Sequence, residues 1–155
     1  MSKKRIVVIC PGRGSYTRET SNYLKEYGAS INKSIQWMDD QREAQGLLSL
    51  TNLDRQNFKA RTHMVGENAS SLIYACSFSD FMSIDRNKYE IVSVLGNSMG
   101  WYTALVLSGA VSWKNGFHLV NTMGSMMKDE LIGAQMIYPI CLLYTSPSPR
   151  DTRDS

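Results

Sequence analysis

The chain has 155 residues, of which 43% are hydrophobic and 20% charged, values of a folded domain rather than of a disordered chain. Seventeen Lys and Arg against fourteen Asp and Glu leave a net charge of +3. No basic run exceeds Lys3-Lys4-Arg5, which argues against a nucleic-acid partner. No apolar run approaches the roughly 18 residues of a membrane helix, and Pro11-Gly12 closes the apolar start too early for a signal sequence. Cys10, Cys76 and Cys141 cannot all pair and have no metal-ligand spacing, so a soluble, cytoplasmic single domain with reduced thiols and no bound metal is expected.

In chain order, residues 6–10 form a continuous β-branched run of the kind found in a buried parallel strand. A loop over 11–18 and a short helix over 20–26, ended by Gly28, follow. Ile31, Ile35 and Met38 recur at helical spacing and predict a helix over 30–44 with Trp37 on its flank. Residues 46–57 read as loop plus a short helical turn. Asn68 is the expected N-cap of a mostly buried helix reaching Met82. Residues 89–95 are the second strand, 96–100 a turn, and 101–107 a helix ended by Gly109. Ser112 is expected to cap a long helix running towards Glu130, and 133–138 to begin a further strand. This alternation predicts an α/β domain with a parallel sheet flanked by helices.

Residues 141–155 differ from the rest. Two of the four prolines fall in Ser146-Pro147-Ser148-Pro149, and no helical or strand period is visible. They read as a disordered Ser/Pro-rich tail or as a non-native extension, because residues 141–151 resemble the translated read-through of a transposon-type sequencing adapter. On the second reading residues 1–140 are the first part of a longer protein.

The chemistry is expected at Gly96-Asn97-Ser98-Met99-Gly100, a G-x-S-x-G between a strand and a helix. Gly96 and Gly100 permit a turn too sharp for a side chain, which lifts the Ser98 hydroxyl above the sheet edge. Ser98 also sits at a helix N-terminus, where free N–H groups, that of Met99 above all, can bind a developing oxyanion. The bland alternative is an ordinary Gly-rich turn. The loop Pro11-Gly12-Arg13-Gly14-Ser15 lacks the Gly-Lys-Ser/Thr of a P-loop, and Thr17 stands where a dinucleotide fingerprint needs its third glycine. Both loops are expected at the carboxyl ends of their strands, where open α/β sheets bind ligands.

Together the two segments carry a resemblance. Cys10-Pro11-Gly12-Arg13-Gly14-Ser15 is similar to the F-P-G-Q-G-S entry of the acyl-carrier-protein S-malonyltransferases and related acyltransferase domains. Gly96 to Leu105 resembles their G-H-S-L-G-E-Y-x-A-L. The likeness extends through Ser108-Gly109-Ala110-Val111-Ser112 to Met126-Met127, and Gly133-Ala134-Gln135-Met136 is similar to the start of the family's inserted ferredoxin-like subdomain. It implies an α/β-hydrolase-like acyltransferase core, with residues 1–140 as the N-terminal part of that domain, cut at the inserted subdomain, and residues 141–155 outside it.

The resemblance further implies an acyltransferase in which Ser98 takes an acyl group from a coenzyme A thioester and passes it to the phosphopantetheine thiol of an acyl carrier protein. No resident cofactor, metal, nucleic acid or membrane is implied. The N–H groups of Met99 and Arg13 become the oxyanion hole. The family's general-base histidine lies beyond this chain's matching region, and His63 and His118 do not correspond to it. Three departures bear on the substrate: Met123 replaces the arginine that pairs with the malonyl carboxylate, Arg13 a glutamine, and Asn97 a histidine. Arg13 could supply the missing cation, serve a coenzyme A phosphate, or be solvated. Asn68-Ala69 replaces the family's Gln-Pro. The rival readings are a serine esterase or thioesterase of the α/β-hydrolase type and a non-catalytic, acyltransferase-like module that binds a carrier protein.

Overall fold

The structure, a computed structural model, describes residues 2–128. Strand β1 (Lys4–Cys10) is followed by two 3-10 turns, Arg18–Thr20 and Tyr23–Glu26, then helices α1 (Ala29–Glu43), α2 (Leu50–Arg55), α3 (Ala60–His63) and α4 (Gly66–Ser83). Strand β2 (Tyr89–Gly96) and helices α5 (Gly100–Leu107) and α6 (Trp113–Met126) complete it. The two strands pair in parallel, Lys4 opposite Tyr89 and Cys10 opposite Gly96, with an irregularity between Ile6 and Val7 that Val92 takes up. Because they end at the same level, the loops that leave them emerge side by side. This is the α/β arrangement with a parallel sheet that the alternation of elements predicts.

The core gathers on α4, which is buried almost all round from Asn68 to Ala75 and again at Phe78 and Ser79. Small residues on α4 let α6 approach closely. A Cβ at Gly124 would sit 2.6 Å from the Gly66 carbonyl oxygen, so the two backbones touch where a side chain would hold them apart. Tyr74, Phe78, Trp113, Phe117 and Trp37 form an aromatic cluster between α1, α4 and α6, with the Trp37 and Trp113 rings edge to face at 5.0 Å. Val8 and Val94 pack inward from the strands, whereas Val7, Ile9 and Leu95 on the opposite face of the sheet are exposed.

Polar groups fix the relative positions of the helices. Arg42 is fully buried; Nε donates to the Leu48 carbonyl (2.7 Å), Nη1 to the Glu67 carbonyl (2.9 Å) and Asn121 Oδ1 (2.7 Å), and Nη2 to Asn68 Oδ1 (2.7 Å). Burial lowers its pKa, and the charges of Glu67 and Asp39 oppose that shift. Asp54 accepts from the Tyr16 hydroxyl (2.7 Å) and from the N–H groups of Tyr23 and Leu24 (both 2.9 Å), which anchors the chain that follows the first loop.

Several boundaries move. The helix expected over 20–26 is two 3-10 turns, the turn within 46–57 is the regular helix α2, and α3 was not expected. Asn68 is not an N-cap: α4 starts at Gly66, and the Asn68 side chain is turned inward to accept from Arg42 and donate to the Thr62 carbonyl (2.9 Å). Ser112 does cap α6, its Oγ accepting from Asn115 N–H at 3.3 Å. The helix ends at Met126, short of Glu130. The strand expected over 133–138, the boundary at 140 and the tail over 141–155 lie outside the described residues.

Candidate active site

The elbow is built as its glycines demand. Ser98 has φ +52°, in the left-handed region that L side chains avoid. A Cβ at Gly100 would collide with the carbonyl oxygen of Cys10 and lie 2.7 Å from its carbon and 2.8 Å from the Pro11 oxygen. Gly96 is confined in the same way by the backbone of Gly100 and Trp101. The Asn97 N–H donates to the Cys10 carbonyl at 3.0 Å, which locks the elbow to the end of β1.

The first loop closes over this turn. A Cβ at Gly12 would meet Ser98 Cβ at 3.1 Å and the Asn97 oxygen at 3.0 Å, so the loop lies close against the serine and a side chain there would press on the elbow. The N–H groups of Gly100, Trp101 and Tyr102 donate to the carbonyls of Asn97, Ser98 and Met99. Those of Met99 and Arg13 have no acceptor among the described residues. Two free donors therefore stand on the two loops that meet at an exposed serine hydroxyl.

Ser98 opens into a cavity of about 240 Å³ walled by Arg13, Ser70, Met99, Tyr102, Val120, Met123, Gly124 and Met127. Thioether and aliphatic side chains dominate it, and Arg13 is its one charged wall. The Arg13 guanidinium reaches across to Met127 Sδ, at the seam where the start of α4 meets the end of α6. A second cavity of about 370 Å³ shares Arg13 and Met127 as walls and adds Val65, Gly66, Glu67 and Lys128.

Neither histidine belongs to this cavity. His63 is buried between the rings of Tyr16 and Phe58; its Nδ1 accepts from Lys59 N–H (3.0 Å) and its Nε2 donates to the Leu53 carbonyl (2.9 Å). His118 is exposed and lies edge-on to Trp37. Both are structural or surface residues. Among the described residues no three metal-ligating side chains cluster, and no helix is long and apolar enough to cross a membrane.

Of the residues singled out from the sequence, Ser98, Met99, Arg13 and Met123 share one cavity, and Gly96 and Gly100 shape the elbow behind it. Asn97 braces the turn through its backbone and is not among the cavity walls. Ser70, Tyr102, Val120, Gly124 and Met127 were not anticipated as walls. Helical spacing puts Val120, Met123, Gly124 and Met127 on one side of α6, but nothing local distinguishes a site-facing side from a core-facing one.

No protein-family profile and no curated relative matches the sequence. Solved structures do match. The malonyl CoA-acyl carrier protein transacylase of Coxiella burnetii superposes with a TM-score of 0.62 at 16% identity, over 84% of this chain and 40% of that one. The acyl-carrier-protein S-malonyltransferase of Burkholderia pseudomallei gives 0.58 at 22% identity, over 83% and 40%. A complex of a type II PKS acyl-carrier protein with its malonyl-transacylase gives 0.61 at 20% identity, over 84% and 40%. The chain spans about two-fifths of the length of these structures, and over that part it has their helix-rich α/β fold with a parallel sheet.

Proposed function

We propose that these residues belong to an acyltransferase that moves an acyl group, malonyl in type, from coenzyme A to the phosphopantetheine thiol of an acyl carrier protein by way of an ester on Ser98. The observation that carries this reading is the elbow: a strained, exposed serine with the Gly12 backbone of the first loop packed against its Cβ. In the forward half, Ser98 Oγ attacks the thioester carbonyl carbon, the C–S bond breaks, and the serine proton ends on the departing coenzyme A thiol. In the second half the carrier thiol attacks the ester, the C–O bond breaks, and Ser98 regains a proton from that thiol. The unpaired N–H groups of Met99 and Arg13 suit the oxyanion of both tetrahedral intermediates.

The similar structures support the carrier protein as partner, since one of them is a complex with an acyl-carrier protein. The reaction class serves fatty-acid or polyketide assembly, and a cytoplasmic setting belongs to the same reading. Neither histidine walls the Ser98 cavity, so on this reading the group that accepts the serine proton comes from outside residues 2–128. Residues 1–155 alone are therefore expected to show no transfer above a Ser98→Ala control.

The test is peptide mass mapping after brief exposure of the natural chain carrying these residues to malonyl-coenzyme A. An acyl mass on the peptide containing Ser98, discharged by a carrier-protein thiol, is expected. A label on Cys10 or Cys76 refutes the assignment. Discharge by water regardless of thiol favours the esterase reading, and no label on any residue favours the non-catalytic module.

A further inference from the structure

The seam between the start of α4 and the end of α6 forms a groove of about 370 Å³, walled by Arg13, Val65, Gly66, Glu67, Met127 and Lys128. Its positive groups are poorly matched. Arg13 is exposed, and its guanidinium contacts Met127 Sδ, a weak acceptor. Among the described residues the one ion pair is Lys88–Asp85, so Glu67, though it walls the same groove, does not pair with Arg13. Helix α4 starts without a side-chain cap, and the N–H groups of Gly66 and Glu67 have no acceptor among the described residues. A helix start of that kind favours a carboxylate. The remaining walls, Val65 and Met127, are apolar, and their neighbours Met64 and Met126 are 53% and 57% exposed.

Lys128, the last described residue, is itself a wall, so the chain continues from the rim of the groove. Helix α6 finishes there in a tight turn. The N–H groups of Met127 and Lys128 donate to the carbonyls of Gly124 and Ser125 at 3.3 and 3.1 Å, three residues back, as helices do where they wind down. The next residues are Asp129-Glu130-Leu131-Ile132, two carboxylates and then two aliphatic side chains. Four residues reach at most about 14 Å, so the segment can lie only close to where it leaves the groove's edge.

We infer that Asp129-Glu130-Leu131-Ile132 turn back into this groove, with a carboxylate of the acidic pair on the Arg13 guanidinium and the aliphatic pair against Val65 and Met127. A guanidinium that exchanges a thioether for a carboxylate gains a charge-assisted hydrogen bond. The aliphatic side chains cover apolar surface that is otherwise open to water. The pairing ties the first loop, which packs on Ser98 through Gly12, to the end of α6. None of this depends on the reaction that Ser98 performs.

The experiment measures how strongly the segment is shielded in the natural chain. Leu131→Cys and, separately, Ile132→Cys are alkylated with iodoacetamide and read by peptide mass mapping, with Lys33→Cys on an exposed part of α1 as the reference. Cys10 and Cys76, whose thiols burial holds protonated, report in the same digest that each variant is folded. A thiol at 131 or 132 is expected to react at least tenfold more slowly than one at 33. Arg13→Gln is expected to raise that rate about tenfold. Asp129→Asn with Glu130→Gln should raise it equally, and all three substitutions together should raise it no further. Rates at both positions equal to that at 33 leave the groove open to an outside anion and overturn the inference. So does shielding that Arg13→Gln does not reduce, and so do additive effects in the combined variant, because the carboxylates then pair elsewhere.

Discussion

Gly100→Ala tests whether the elbow depends on contact between backbones. The new Cβ would be driven into the carbonyl of Cys10, and lie 2.7 Å from the Cys10 carbon and 2.8 Å from the Pro11 oxygen. Those atoms are main chain at the end of β1 and cannot rotate away. Relief requires β2 and the elbow to move off β1, which breaks the 3.0 Å bond from Asn97 N–H to the Cys10 carbonyl and carries Gly12 and Arg13 away from Ser98. Overpacking of this kind costs about 1–3 kcal/mol, and a clash on backbone atoms belongs at the upper end. For a chain of this size about 3 kcal/mol corresponds to a fall in Tm of roughly 6–12 °C. Gly109→Ala is the control: its φ is +84°, but no atom lies within 4 Å of the added Cβ, so only the left-handed penalty of about 1–2 kcal/mol applies. Thermal unfolding followed by circular dichroism, with Ser98 ester formation measured in parallel, reads both effects. A Gly100→Ala chain that melts no lower than Gly109→Ala and still acylates at Ser98 would show that the elbow does not depend on this contact.

The strain at Ser98 gives an opposite sign: Ser98→Gly is expected to stabilise the fold by about 1 kcal/mol while abolishing the ester, whereas Ser98→Ala abolishes the ester without stabilising; equal melting temperatures for the two would deny the strain. Arg42→Met removes the only donors to the Leu48 carbonyl and Asn68 Oδ1 among the described residues and is expected to lower stability by about 3 kcal/mol or more, measured by urea denaturation; a loss below about 1 kcal/mol contradicts the network's role. Met123→Arg places a cation on the α6 wall and is expected to raise malonyl over acetyl acylation about tenfold; unchanged selectivity would mean that residue 123 does not reach the acyl carboxylate. Burial raises the pKa of the Cys10 and Cys76 thiols, so both carry less thiolate at pH 8 than in the unfolded chain and are expected to be alkylated by iodoacetamide much more slowly when native; equal rates would place them in solvent.

Local rules suffice where neighbours in sequence determine the outcome. The β-branched runs before Pro11 and Gly96, the paired glycines around Ser98 and the capping serine at 112 each state their structure within a few residues, and the strand–turn–helix at Ser98 is legible for that reason. Its meeting with the first loop also follows from the sequence, since two parallel strands place their exits at one edge. Other features depend on partners far along the chain. Asn68 looks like an N-cap until Arg42, 26 residues away, claims its oxygen, and Arg42 in turn is met by Asn121, 79 residues away. Ser70 is one small residue among several on α4, and only the close crossing of α6 at Gly124 brings it into the wall of the Ser98 cavity. Propensity and period act over a single turn or strand, so they determined the elements and the turn at Ser98. Which polar groups are satisfied was decided by the tertiary packing, because hydrogen bonding of buried groups depends on whatever residue the fold brings opposite.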